Sequence, residues 1–151
     1  LMSDGGAAGI GQVNQRLPLR RRLKRARLKV MQPEPGDRRW FGPGEPDSVV
    51  LANIDLRVGG RYHIAFTTPD GERHDVSGEY QSVEPERQLA FTWAWKSTPD
   101  RVSLVTIELE PDGGGCELRF RHDRFFDQKA ADDHNRGWTA TFSKLDEFLQ
   151  T

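Results

Sequence analysis

The sequence contains a single cysteine, Cys116, and no long hydrophobic run. One cysteine excludes an internal disulfide bond and is typical of proteins in the reducing cytosol. A membrane helix needs about twenty consecutive apolar residues, whereas only 35% of these 151 residues are hydrophobic and no stretch approaches that length. The first twelve residues, "LMSDGGAAGIGQ", also lack the apolar core of a secretory signal. We therefore expect one folded, cytoplasmic domain that has no membrane partner.

Motifs for phosphate, metal and nucleophile chemistry are missing as well. The glycine-rich stretches "VGGRY" and "DGGGC" lack the spacing of a nucleotide-binding loop, and no G-x-S-x-G nucleophile elbow is present. The histidines, which are His63, His74, His122 and His134, show no spacing typical of metal ligands. We therefore expect no cofactor and no metal site, and the sequence assigns no catalytic residue.

Charge is distributed unevenly, although the net charge is only −1. Residues 1–39 carry ten Lys or Arg and three Asp or Glu, whereas residues 40–151 carry twelve and twenty. An acidic body repels the phosphate backbone of a nucleic acid. A nucleic-acid partner is therefore not expected, unless the basic segment alone provides the affinity.

Alternating apolar residues between Val49 and about Asp123 predict consecutive strands. The sets predicted to share one face are Val50, Ala52, Ile54, Leu56 and Val58; Tyr62, Ile64 and Phe66; Leu89, Phe91, Trp93 and Trp95; Val105, Ile107 and Leu109; and Cys116, Leu118, Phe120 and His122. Asp70-Gly71 is typical of a hairpin turn. The pattern indicates an antiparallel meander with one solvated face.

The apolar period changes to that of a helix after Phe126. Asp127 is a candidate N-cap, and a stripe at helical spacing consists of Ala131, Trp138, Phe142, Leu145 and Leu149. The predicted helix is amphipathic and spans roughly twenty residues. Because the helix and the sheet each have one apolar face, the helix should lie across the sheet.

Five segments resemble a known family in their order and spacing. They are "RRWFGP" (38–43), "DLRVGGRYHIAF" (55–66), "GEYQSVEPERQLAFTWAW" (78–95), "SLVTIELEPDGGGCELRFRH" (103–122) and "HNRGWTATFSKLDEFL" (134–149). They are similar to bacterial relatives of the activator of the ninety-kilodalton heat-shock chaperone ATPase, a branch of the START/SRPBCC (Bet v 1-like) superfamily. The resemblance implies an α+β helix-grip fold, in which a curved antiparallel sheet wraps a long C-terminal helix around a cavity that often takes a hydrophobic ligand. It predicts a START/SRPBCC-like domain over residues 38–151.

Residues 1–37 form an atypical basic segment, in which eight of the fourteen residues from Arg16 to Lys29 are Lys or Arg. The family resemblance implies a first strand and two short helices here, but strand alternation is missing. A helical stripe is present instead, ended by two prolines, and consists of Leu19, Leu23, Ala26 and Val30 before Pro33 and Pro35. Four interpretations stay open: a non-homologous segment, a divergent first strand and helix, a nucleic-acid or localisation patch, and a basic helix on anionic lipid.

The aromatic residues expected between sheet and helix are the candidate ligand-binding residues. They are Tyr62, Phe66, Phe91, Trp93, Trp95, Trp138 and Phe142, with His122 as the polar marker of the pocket. A filled aromatic core is the alternative. His122 and His134 are candidates for a ligand hydrogen bond, for a general base, or for a structural role. Gly137 costs the helix about 1 kcal/mol relative to alanine, which indicates either close packing on the sheet or a ligand beside Trp138.

The sequence thus predicts a cytoplasmic domain that binds a hydrophobic small molecule without transforming it. Two other functions stay open. The first is a protein-interaction domain with a chaperone partner, as the resemblance implies for the eukaryotic relative. The second is an enzyme of the cyclase or hydratase kind, which would need an acid and a base inside the pocket. Exposed edge strands are also compatible with a homodimer.

Overall fold

The computed structural model describes residues 10–19, 49–85, 87–112 and 115–150. The strands are β1 (Val13–Leu19), β2 (Val49–Ile54), β3 (Arg61–Thr67), β4 (Arg73–Glu84), β5 (Gln88–Trp95), β6 (Ser103–Asp112) and β7 (Gly115–Asp123), and the helix α1 is Gln128–Gln150. The strands form one antiparallel sheet in the order β1-β7-β6-β5-β4-β3-β2. The predicted α+β helix-grip fold is confirmed. Among the described residues, no helix is long and apolar enough to cross a membrane.

The predicted faces of the central strands are confirmed. Their buried residues are Tyr62, Ile64 and Phe66 of β3, Leu89 and Trp93 of β5, Val105 and Leu109 of β6, and Leu118, Phe120 and His122 of β7. Phe91, Trp95 and Ile107 are half-buried and pack against this core. Gly71 has a φ of 86° in the β3–β4 turn, a conformation that glycine adopts without strain.

The predicted face of β2 is wrong at both ends. Val50 and Val58 are 49% and 63% exposed, whereas Val49 is 5% exposed. The β2–β3 register shifts between Val49 and Leu51, and an irregularity of this kind moves the preceding side chains to the other face. The strand ends at Ile54, well before Val58.

Residues 13–19 form a first strand. The expectation that the segment before residue 38 lacks a strand pattern is therefore wrong for these residues. Strand β1 pairs antiparallel with β7, with Val13 opposite His122 and Leu17 opposite Leu118. Leu19 ends this strand and is not part of a helical stripe. The amide of Gly11 and the side chain of Gln15 also donate hydrogen bonds to α1, at 2.7 and 3.1 Å. Of the four interpretations, the divergent first strand fits β1.

Residues 20–48 lie outside the described residues, and so do the rest of the predicted helical stripe and the segment at 38–43. The side chains of Cys116 and Leu149 also lie outside the description. The predicted boundary at residue 38 therefore stays a prediction.

Helix α1 begins and packs as the sequence predicts. The Asp127 carboxylate accepts a hydrogen bond of 2.8 Å from the amide of Ala130, which satisfies one of the free donors of the first turn. The apolar residues that α1 buries are Ala131, Trp138, Phe142 and Leu145. Trp138 lies 5.1 Å from Trp93 and 4.5 Å from Phe120 between ring centroids, so the helix lies across β5 and β7.

Gly78 of β4 packs directly against the backbone of β5, close to the register shift between Tyr80 and Ser82. A Cβ atom at this position would lie 1.9 Å from the carbonyl oxygen of Thr92, so only glycine fits. That oxygen accepts a hydrogen bond of 2.5 Å from the Tyr62 hydroxyl. The Thr92 hydroxyl accepts one of 2.8 Å from the amide of Glu79. Side chains therefore replace part of the regular β-ladder here.

Candidate functional site

A cavity of about 540 Å³ lies between the sheet and the first half of α1. Its aromatic wall consists of Phe66, Trp93, Trp95, Phe125, Phe126 and Trp138. The volume falls within the range of roughly 300–1,000 Å³ that small-molecule pockets occupy. Aromatic rings provide a large, rigid apolar contact surface. The cavity is therefore the candidate ligand site.

The structure brings together four of the eight residues predicted to bind the ligand. Phe66, Trp93, Trp95 and Trp138 line the cavity. The other four are buried or half-buried in the core and do not line the cavity; they are Tyr62, Phe91, Phe142 and His122.

The four residues that do not line the cavity have their own packing partners. Tyr62 and Phe91 form a ring cluster with Tyr80, with centroid distances of 5.3 to 5.6 Å. Phe142 stacks on Trp138 at 5.8 Å, and His122 is 0% exposed. Phe142 and His122 thus contact Trp138, which lines the cavity, whereas the cluster of Tyr62, Phe91 and Tyr80 does not line it. The part of all four predicted residues in ligand binding stays a prediction.

His122 forms hydrogen bonds with two side chains, one on the helix and one on the sheet. The Trp138 indole donates a hydrogen bond of 3.0 Å to its Nδ1 atom. Because an indole nitrogen can only donate, Nδ1 must be the unprotonated nitrogen. The proton therefore lies on Nε2, which donates to the Ser103 hydroxyl at 2.6 Å. That hydroxyl donates in turn to the carbonyl oxygen of Trp93 at 3.3 Å.

The surroundings of His122 keep it neutral. Burial, followed by the nearby His134, lowers the pKa of His122 to about 2. A proton on Nδ1 would also oppose the indole N–H of Trp138. His122 therefore has no nitrogen available as a general base, and its role is to orient Ser103 and Trp138, which line the cavity.

His134 lines the cavity and is arranged in a similar way. Its Nδ1–H donates to the carbonyl oxygen of Ala130 at 2.7 Å, and its Nε2 accepts the Trp95 indole N–H at 2.9 Å. Burial lowers the pKa of His134, although the Ala130 carbonyl and Asp133 oppose this shift. Both histidines thus act as acceptors for indoles of the cavity wall.

Gly137 of α1 lines the cavity beside Trp138. Apart from the two neighbouring residues and the helix's own backbone, no atom lies within 4 Å of the position that a Cβ atom would occupy. Close packing on the sheet, one of the two predicted reasons for this glycine, is therefore wrong. The missing side chain leaves open volume that a larger residue would fill.

Two charged side chains, Arg101 and Asp133, also line the cavity. The Arg101 guanidinium lies 3.9 Å from the centroid of the Phe126 ring. Sequence reasoning missed Arg101 because residues 96–102 form the β5–β6 loop, which has no apolar period. The pair Phe125-Phe126 directly before the N-cap was a usable signal. The residues that the structure describes do not bring together three His, Cys, Asp or Glu side chains that could hold a metal ion.

Residues 37–150 match a protein family described as Activator of Hsp90 ATPase homolog 1-like protein. This match covers about three-quarters of the chain and agrees with the resemblance identified from the sequence. A search of curated proteins found no match.

Solved structures of bacterial proteins share the fold. A protein from Chromobacterium violaceum has a TM-score of 0.75 at 20% identity, with 93% of this chain and 99% of that chain covered. The AHSA1 protein from Silicibacter pomeroyi has a TM-score of 0.74 at 21% identity, with 93% and 98% covered. A protein from Mesorhizobium loti has a TM-score of 0.71 at 25% identity, with 93% and 97% covered.

Proposed function

This chain belongs to the Activator of Hsp90 ATPase homolog 1-like protein family, and we propose that it binds a hydrophobic small molecule without transforming it. The ligand would lie in the cavity between the sheet and α1. The observation that carries the proposal is the aromatic wall around about 540 Å³ of space. We further propose that the protein acts in the cytoplasm, since its one cysteine is typical of that compartment.

Gly137 supports a cavity that accepts a ligand. An alanine at this position would improve the helix by about 1 kcal/mol, and its Cβ would meet no atom within 4 Å beyond the neighbouring residues and the helix's own backbone. Neither helix propensity nor packing accounts for the glycine. A ligand that needs the space beside Trp138 would account for it.

The two histidines support binding over catalysis. A general base needs a nitrogen that can receive a proton from the substrate. In His122 and His134 both ring nitrogens already take part in hydrogen bonds, and the pKa of each ring is lowered. A cyclase or hydratase would therefore have to use other groups.

Titration with N-phenyl-1-naphthylamine, an uncharged apolar dye, tests the proposal on the full chain. Native mass spectrometry first establishes that the purified protein carries no retained ligand. We expect saturable binding at one site, with dye emission excited through the tryptophans of the wall and a higher unfolding temperature. Ligand-free protein that shows neither saturation nor a thermal shift would contradict the proposal.

The family's name favours a competing role, in which the chain interacts with a chaperone ATPase. That role predicts faster ATP hydrolysis by the chaperone when the chain is added. The proposed ligand binding requires no such effect, so an ATPase assay separates the two roles.

A further inference from the structure

The two charged side chains on the cavity wall differ in how their charges are balanced. Asp133 forms ion pairs with Lys129 at 2.7 Å and with Arg136. The hydrogen bond from Lys129 is the main cause of the lowered pKa of this carboxyl. Arg101, in contrast, forms no ion pair with any carboxylate in the described part of the chain. Arg101 is exposed and lines the cavity, and the carboxylate on the same wall, Asp133, already has its own cationic partners.

The loop holds Arg101 at the cavity through two successive turns. The amide of Thr98 donates to the carbonyl oxygen of Trp95 at 3.1 Å, and the amide of Arg101 donates to that of Thr98 at 3.0 Å. Trp95 belongs to the aromatic wall. The backbone of Arg101 is thus tied to the same wall that would contact an apolar ligand.

The Phe126 ring orients the guanidinium group. With the guanidinium carbon 3.9 Å from the ring centroid, the ring covers one face of the cation and attracts it through its quadrupole. The N–H groups of a guanidinium lie in its plane and match the two oxygens of a carboxylate. Stacking on Phe126 leaves these in-plane donors available for an anionic group.

We infer that the ligand is an amphipathic acid, an inference that rests on the proposed ligand-binding function. Its planar apolar body would lie among Trp93, Trp95 and Trp138, and its oxyanion would bind the edge of the Arg101 guanidinium. Arg101 thus selects acids over uncharged molecules of the same shape.

Two dyes that differ only in a sulfonate group test this inference. One is N-phenyl-1-naphthylamine and the other is 1-anilinonaphthalene-8-sulfonate. Each is titrated into the wild-type chain and into the Arg101→Gln variant. We expect Arg101→Gln to weaken binding of the sulfonate about tenfold, which is the usual size of a lost charge-assisted contact, and to leave the neutral dye unchanged. Arg101→Lys should recover part of the lost affinity, because it restores the positive charge but not the paired, planar N–H donors of a guanidinium group.

The control variant is Arg87→Gln, which removes an exposed arginine that is not part of the cavity wall. It should leave both dyes unaffected, and far-ultraviolet circular dichroism should show that all variants are folded. Unchanged sulfonate binding by Arg101→Gln overturns the inference but leaves the proposed function intact. A wild-type chain that binds neither dye overturns the proposed function, and the inference with it.

Discussion

The indole nitrogen of Trp138 donates a hydrogen bond of 3.0 Å to Nδ1 of His122, and this contact joins α1 to β7 behind the cavity. Both residues are buried, with exposed fractions of 6% and 0%. The bond selects the neutral tautomer of the histidine and fixes the angle of one tryptophan of the wall. A buried polar pair of this kind orients the apolar groups around it.

Trp138→Phe keeps an aromatic ring on the helix but removes the donor to His122. We expect the free energy of unfolding to fall by about 1–3 kcal/mol, because Nδ1 is then buried without its partner. Urea denaturation measures the change. Trp95→Phe is the matched control, since it removes the indole bond to the half-buried His134. The free energy of unfolding should fall less in Trp95→Phe than in Trp138→Phe. Equal decreases in the two variants would contradict this role of the buried hydrogen bond.

As the pH is lowered, the protein should begin to lose stability at pH values well above those at which carboxylates become protonated. The pKa of His122 is about 2 in the folded state and about 6.5 in an unfolded chain. The unfolded state therefore binds a proton below pH 6.5 that the folded state does not. The contribution of His122 to the free energy of unfolding is complete above pH 6.5. It decreases as the pH falls from there toward the pKa of the folded state. His134, with its lowered pKa, acts in the same direction.

Urea denaturation at pH 7 and pH 5 measures this effect. His122 alone should lower the free energy of unfolding by roughly 2 kcal/mol over that interval. His122→Asn should remove about that much of the pH dependence. Equal stability of the wild-type chain at the two pH values would show that His122 is protonated in the folded state.

Two glycine substitutions should have opposite effects on stability. Gly137→Ala should raise the free energy of unfolding by about 1 kcal/mol, because alanine favours the helix and its Cβ meets no atom of the sheet or of another side chain beyond its chain neighbours within 4 Å. Gly78→Ala should lower it by about 3 kcal/mol or more, since the strands must separate to admit the Cβ. Thermal and urea unfolding of both variants measure the difference. A destabilised Gly137→Ala would indicate that the space beside Trp138 is already filled.

Alternation along the sequence was sufficient to predict the faces of β3, β5, β6 and β7, because one side of each strand is buried. It failed at Val50, where a register shift reverses the face, and such irregularities have no simple apolar signature. It also failed for β1. In "VNQRLPL" only Val13, Leu17 and Leu19 alternate clearly, and a proline interrupts the run. An edge strand tolerates proline because one row of its amides has no β-partner.

The candidate site could be predicted only in outline. Because helix and sheet each have one apolar face, the sequence predicts that Trp93 and Trp138 lie between them. The hydrogen bonds of His122 depend on the β5–β6 and β6–β7 registers, which bring Ser103 beside it and which alternation does not specify. Arg101 lies in a loop, where no periodic pattern indicates which side chains face a cavity. The sequence therefore indicates the wall but not the polar groups.

The central claim is that the space beside Gly137 holds an apolar ligand, and titration of Gly137→Phe with N-phenyl-1-naphthylamine tests it most directly. The phenylalanine would occupy the open volume, so dye affinity should fall about tenfold or more, while the unfolding temperature stays at or above that of the wild type. Asn135→Phe, which adds the same ring at an exposed position of α1, should bind as the wild type does. If Gly137→Phe binds the dye as tightly as the wild type, the cavity is not the ligand site.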